Sequence, residues 1–185
     1  TIFLAIAAAT LVRTFLIQIY YIPSSSMEPT LQVDDRVLVL KNTFIETVIS
    51  SGDIVVFYSP QTQFKEDYFE EFVESVQIWK LRNDDTYLNT ALIKRVVGNS
   101  GDEVTVKESG EVYVNGNKFT VLNINEGRNF KEQIYIVPDN EIFVLGDNRI
   151  NSQDSRYIGT IPNENIVGKA IYVVFPFDNF KKIDD

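Results

Sequence analysis

From residue 33 onward the chain alternates apolar and polar residues in short runs broken by Gly, Asn and Asp. Residues 33–40, 53–58, 92–97, 103–107, 111–114, a run opening at Lys118, 133–137, 141–145 and 168–175 read as strands. The breaks at 98–102 (GNSGD), 109–110 (SG) and 115–117 (NGN) are turn sequences, so the middle strands follow one another as hairpins. Many short strands with little helix predict a mainly β, antiparallel, barrel-like fold. At 185 residues, 44% of them hydrophobic, the chain can bury one core.

Two segments depart from this pattern. Residues 2–20 are apolar apart from Thr10, Arg13, Thr14 and Gln18, and residues 2–9 show no polar face. A soluble amphipathic helix would show one. A cleavable signal sequence fits the alanines. The outer end of a transmembrane helix that starts upstream of Thr1 also fits, because Tyr20 and Tyr21 supply an interfacial aromatic pair. The anchor is the expectation carried forward, over residues 1–22, with a catalytic β domain over 23–185. The second departure is an insertion at 60–90. Its apolar positions Phe64, Tyr68, Phe69, Phe72, Val73, Val76 and Trp79 suit a short amphipathic helix packed on the β domain. An interfacial helix beside the membrane is the alternative, but its polar face is acidic where such helices are usually basic.

Composition removes whole classes of chemistry. The net charge is -9, which argues against nucleic acid as a partner. There is no cysteine, so disulfides and thiolate metal sites are excluded. There is no histidine either, so a Ser-His-Asp triad is impossible within this chain. A serine nucleophile here needs a lysine or a carboxylate as its base.

Three places carry candidate chemistry. Residues 23–31 read PSSSMEPTL, with Pro23 and Pro29 blocking a helix or ladder through the run. Such a loop can hold the Ser26 hydroxyl in one orientation, with the Ser26 amide and the Ser24 hydroxyl as a two-donor oxyanion hole. Taken alone, such a run is more often a juxtamembrane linker. In the strand around Lys94, alternation places Leu92, Lys94 and Val96 on one face and Ile93, Arg95 and Val97 on the other. Desolvation between Leu92 and Val96 would lower the lysine by roughly 2 to 3 pH units from about 10.4. The plainer reading is an edge lysine with a solvated head. Residues 146–156 (GDNRINSQDSR) hold two acids, two arginines and two serines. That density suggests a hydrogen-bonded network in which Ser152 orients the lysine and Asp154 pairs with Arg156. An ordinary polar turn is the alternative.

Together these pieces resemble the bacterial type I signal peptidases. The family's P-S-x-S-M-x-P-T-L box matches residues 23–31, and its G-D-I-V-V-F strand matches 52–57. The I-K-R-V-V-G-x-x-G-D box matches 93–102, and G-D-N-R-x-x-S-x-D-S-R matches 146–156. The resemblance implies Ser26 as nucleophile, Lys94 as general base, and Ser24 with the Ser26 amide as oxyanion hole. It implies that Ser152 positions Lys94 while Asp147, Asp154 and Arg156 brace the loop. Ile22, Pro23, Met27, Leu31, Leu92 and Ile93 fall where the family builds shallow pockets for small residues at -3 and -1.

The implied reaction removes signal peptides from secretory preproteins through an acyl-enzyme, with no cofactor and no metal. The implied partners are those signal peptides, membrane lipid and the secretion translocon, with no nucleic acid. The implied location is the bacterial cytoplasmic membrane, or the thylakoid membrane in a cyanobacterial member, single-pass with the catalytic domain extracytoplasmic. Two features depart from the family pattern. The stretch between Phe57 and Ile93 is longer than in compact members, and Leu92 stands where many members carry an aromatic residue. A self-cleaving repressor shares Ser/Lys chemistry but has a DNA-binding domain and no anchor. A catalytically dead homologue would be expected to lose Ser26 or Lys94, and both are present.

Overall fold

Residue 54 opens the strand on which the rest of the molecule is layered. The computed structural model describes residues 16–42, 48–60, 91–121, 124, 127 and 130–183. Strand β3 (Ile54–Tyr58) is apolar without alternation, because both of its faces are covered. Ile54 and Val56 enter one core with Ile22, Met27, Leu31, Val37, Val39 and Val173. Val55 and Phe57 enter a second core with Val96, Ile142, Val144 and Ile161. Each fully buried side chain of this size contributes about 1.5–3 kcal/mol.

The other strands are β1 (Ile17–Tyr21), β2 (Arg36–Lys41), β4 (Ala91–Gly98), β5 (Glu103–Val106), β6 (Val112–Val114) and β7 (Asn117–Lys118). They continue with β8 (Gln133–Ile136), β9 (Glu141–Leu145), β10 (Ile161–Pro162), β11 (Ile166–Phe175) and β12 (Lys181–Lys182). A single helical turn, α1, spans Ser155–Ile158. The larger sheet runs β1-β2-β11-β3-β4-β9-β10, with β12 beside β11. The smaller runs β7-β6-β5-β8. Every pairing among the described strands is antiparallel. The mainly β antiparallel class expected from the alternation is what the chain adopts.

One expectation is corrected. Residues 17–21, read as the end of an anchor helix, form β1, paired from Ile17↔Leu40 to Tyr21↔Arg36. Two isoleucines and two tyrosines in five residues favour a strand wherever a partner edge is free. An apolar stretch alone does not separate the two states. The anchor expectation for residues 1–15 lies outside the described residues, as does the amphipathic helix within 60–90. Among the described residues no helix is long and apolar enough to cross a membrane.

β11 crosses β2 closely at Gly168. A Cβ there would lie 2.0 Å from the Leu40 carbonyl oxygen and 3.0 Å from the Lys41 Cα, and neither backbone can yield. Gly168→Ala is therefore expected to destabilise the fold by about 2–3 kcal/mol, as overpacking does. Urea denaturation checks this, and an unchanged midpoint would contradict the close crossing.

Candidate active site

The serine run folds as a short loop zipped at its base. Ile22 N donates to Asp35 O and Asp34 N to Ile22 O, both at 2.9 Å. Ser24 is extended, and Ser25–Met27 form one 3-10 turn closed by Glu28 N donating to Ser25 O at 3.1 Å. Met27 and Leu31 plug into the first core and fix the turn from below. Ser26 lies between them and is itself buried, 9% exposed. Its N–H belongs to the opening of the turn, where donors have no partner within the turn itself. Ser24 Oγ donates a long hydrogen bond to Ser26 Oγ at 3.4 Å.

Lys94 comes from the middle of β4, directly across from Val55 in register. Its side chain is 3% exposed. Nζ donates to Ser26 Oγ at 2.8 Å and to the Ile93 carbonyl at 2.7 Å. Burial pushes this ammonium down to about 8 from the usual 10.5, while Asp154 and Asp147 pull it back up. Desolvation wins because neither carboxylate forms an ion pair with it among the described residues. A neutral amine at 2.8 Å can accept the hydroxyl proton along the line that now carries its own N–H.

The loop at 146–156 grips the serine turn from one side. Asn148 N donates to Ser26 O at 3.1 Å, and Asn148 Nδ2 to Ser25 O at 3.2 Å. Asn151 Nδ2 donates to Ser25 Oγ at 2.7 Å. The loop is itself rigid. Arg156 places Nε on Asp154 Oδ1 at 2.7 Å and Nη2 on Oδ2 at 2.8 Å, and Nη2 also reaches Arg149 O at 2.7 Å. Asp154 Oδ2 accepts Gly146 N at 3.0 Å, and Asp154 caps α1. Gly146 has no room for a side chain, since a Cβ would meet Ser152 Oγ at 2.2 Å and Ser26 O at 2.6 Å.

A second buried pair ties the strand, the serine loop and this loop together. Arg95 Nε and Nη2 hold the two oxygens of Asp147 at 2.8 Å each, and Arg95 Nη1 reaches Gly52 O at 2.6 Å. Thr30 Oγ1 donates to Asp147 Oδ2 at 2.5 Å. Breaking such a pair by removing one partner costs about 3–5 kcal/mol, because the other charge stays buried.

The structure thus brings Ser26, Lys94, Ser24, Asp147, Asp154 and Arg156 into one neighbourhood. Two expectations change. Ser152 makes no hydrogen bond to Lys94: its buried Oγ has no partner among the described residues. It packs instead into the space left by Gly146. Ile22, Met27 and Leu31 are core residues, at most 2% exposed, so they floor the site and do not wall an open pocket. Leu92 packs toward the second core and Ile93 toward the first, while Pro23 is exposed. Asn148, Asn151, Thr30, Arg95 and Gly146 were not singled out from sequence. Their sole signal was position within or beside the motifs, since close approaches and polar contacts between residues distant in sequence leave no pattern.

The family model "Signal peptidase, peptidase S26" matches residues 1–175. The chain belongs to this family. It is 38% identical over 176 residues to a probable signal peptidase I-2 of Synechocystis sp., covering 95% of this chain and 71% of the relative. It is 34% identical over 183 residues to signal peptidase I of Leptolyngbya laminosa, covering 99% and 81%. Signal peptidase I of Bacillus licheniformis is 29% identical over 194 residues, covering 99% and 90%. As a member of the S26 peptidases the chain is a serine hydrolase, and Ser26 and Lys94 are the residues whose geometry suits that chemistry.

The depressed lysine has a thermodynamic cost. Its folded value of about 8 lies below the 10.5 of an exposed lysine, so the unfolded chain binds more protons between these pH values. Stability therefore rises with pH across that window, and below about pH 8 the full cost of roughly 3 kcal/mol is present. Lys94→Met removes the buried charge and loses two hydrogen bonds. The variant is expected to be about 2 kcal/mol more stable than the parent at pH 7. That gain should vanish by pH 10.5. Paired urea melts at the two pH values check this, and equal stability at pH 7 would mean the amine is not desolvated.

Proposed function

We propose that this chain is a membrane-bound serine endopeptidase that removes N-terminal signal peptides from exported preproteins, cutting after small residues at -3 and -1. The observation that carries this reading is a buried lysine amine 2.8 Å from the Ser26 hydroxyl in a chain with no histidine. Ser26 Oγ attacks the scissile carbonyl as Lys94 Nζ takes its proton. The oxyanion is held by the Ser26 N–H and the Ser24 hydroxyl. The Lys94 ammonium then protonates the departing amine, leaving an ester on Ser26. Lys94, neutral again, takes a proton from a water as the water oxygen attacks the ester carbonyl. It then returns that proton to Ser26 Oγ as the bond to the serine breaks, which frees the signal peptide with a new carboxyl end and restores Ser26.

The carboxylates have a different task. Asp154 with Arg156, and Asp147 with Arg95, fix the loop whose Asn148 amide holds the Ser26 carbonyl. Ser152 fills the gap at Gly146 and keeps that loop seated. Pro23 and Ile93 offer the surface for small substrate residues, over the floor of Ile22, Met27 and Leu31, while Leu92 faces the second core. The partners are signal peptides, membrane lipid and the translocon.

A place at the membrane is supported by the sheet's outer face. Register sets Tyr21, Arg36 and Phe175 side by side, and Ile19, Leu38 and Tyr172 beside them. Ile19, Tyr21, Phe177 and Phe180 are all more than half exposed, a dense apolar group for a surface facing water alone. The apolar residues 2–12 precede β1 and form the anchor in this reading.

The test uses the chain in detergent and a preprotein with alanine at -3 and -1. The parent is expected to cut after the -1 alanine, and a bulky residue there to block cutting. Ser26→Ala, Lys94→Ala and Lys94→Arg should each lose at least about a thousandfold in kcat. An arginine never gives up its proton at these pH values. The rate should rise with pH through about 8, as Lys94 loses its proton. Intact preprotein, or cleavage indifferent to these changes, sinks the proposal.

A further inference from the structure

The serine loop is gripped from two sides, and only the 146–156 side belongs to a motif. The other side is the C-terminal segment, residues 177–183. Lys181 Nζ donates to the Thr30 carbonyl at 2.9 Å. Asn179 Nδ2 donates to Asp35 Oδ1 at 2.9 Å and Oδ2 at 3.1 Å. Asp35 is 1% exposed and also accepts Gln32 N at 2.9 Å. Its backbone closes the base of the loop through Ile22. Ile183 packs in the same core as Met27 and Leu31, and its N–H donates to Ile171 O at 3.0 Å. β12 holds the segment in place by pairing Lys181 with Val173 and Lys182 with Tyr172.

These contacts converge on the nucleophile's frame. Thr30 is held through its carbonyl by Lys181 and through its hydroxyl by Asp147, the partner of Arg95. Arg95 adjoins Lys94 on β4. We infer that the segment 177–183 is a positioning brace for Ser26, with Lys181 and Asn179 as positioning residues acting through Thr30 and Asp35. Neither side chain touches the reacting atoms. Their work is to stop the loop sliding along β4, which would lengthen the 2.8 Å line between Ser26 and Lys94. Small displacements of that kind cost rate steeply, up to about a hundredfold for an ångström. The inference rests on Ser26 and Lys94 being the catalytic pair.

The test assays the full chain in detergent with the same alanine-bearing preprotein, beside amide hydrogen exchange on the same samples. Lys181→Met keeps the length of the side chain but cannot donate. Its kcat is expected to fall about tenfold with KM within about twofold, and Lys181→Arg to recover most of the loss. Asn179→Ala serves as a second variant and should behave alike. Exchange at residues 22–35 should quicken in both while β3 and β4 keep their protection. Unchanged kcat and unchanged exchange overturn the inference. Loss of protection spread equally over β3 and β4 also overturns it, because the segment would then be a general stabiliser. A parent chain that cuts no preprotein sinks the peptidase reading, and the exchange measurement then decides the brace alone.

Discussion

Everything in this site depends on taking one lysine out of water. A surface amine beside Ser26 would stay charged at working pH and could not accept a proton. Burial at the centre of β4 removes that obstacle, and most of the architecture can be read as support for it. β3 covers one side of the strand and the serine loop meets the amine itself. The cost is borne in stability, as expected where a site is tuned for chemistry and not for folding.

The neighbouring residue shows how selective this arrangement is. Lys94 and Arg95 are adjacent, both cationic in isolation, and both almost wholly buried. Arg95 is matched to Asp147 by two parallel hydrogen bonds, so its charge is compensated where it sits. Lys94 has a carbonyl and a hydroxyl as its hydrogen-bonded partners, and carboxylates act on it only at longer range. Alternation along one strand thus produces a permanently charged strut and a titratable base side by side. Exchanging their types would fail at both positions, since lysine cannot make the fork and arginine cannot lose a proton.

Much of the fold was legible because period-two alternation and Gly/Asn turns are local signals. β2, β3, β4, β5, β6, β8, β9 and β11 lie where the pattern put them. β1 was not legible, since an apolar run rich in Ile and Tyr follows either period and only the free edge of β2 decides between them. The Ser26 and Lys94 pair was legible from their motifs, although their 68-residue separation hides any contact. The bracing side chains were less so. Asn148 and Asn151 bind backbone or a hydroxyl of the serine turn, and Asn179 reaches Asp35 across most of the chain. Such contacts impose no periodicity. Ile22, Met27 and Leu31 are core where the motif implies pocket, because a motif gives residue identity without saying which face is buried.

The absence of histidine now has a physical sense. Burial lowers any cationic base, and a group starting near 6.5 would be driven well below neutrality in so dry a site. It would be free of its proton but too weak to take one from a hydroxyl. Lysine starts near 10.5 and is brought to about 8, still a strong base yet substantially neutral at mildly alkaline pH. A site this dry therefore favours the amine over the imidazole. The same dryness that makes the lysine usable would make histidine a poor base.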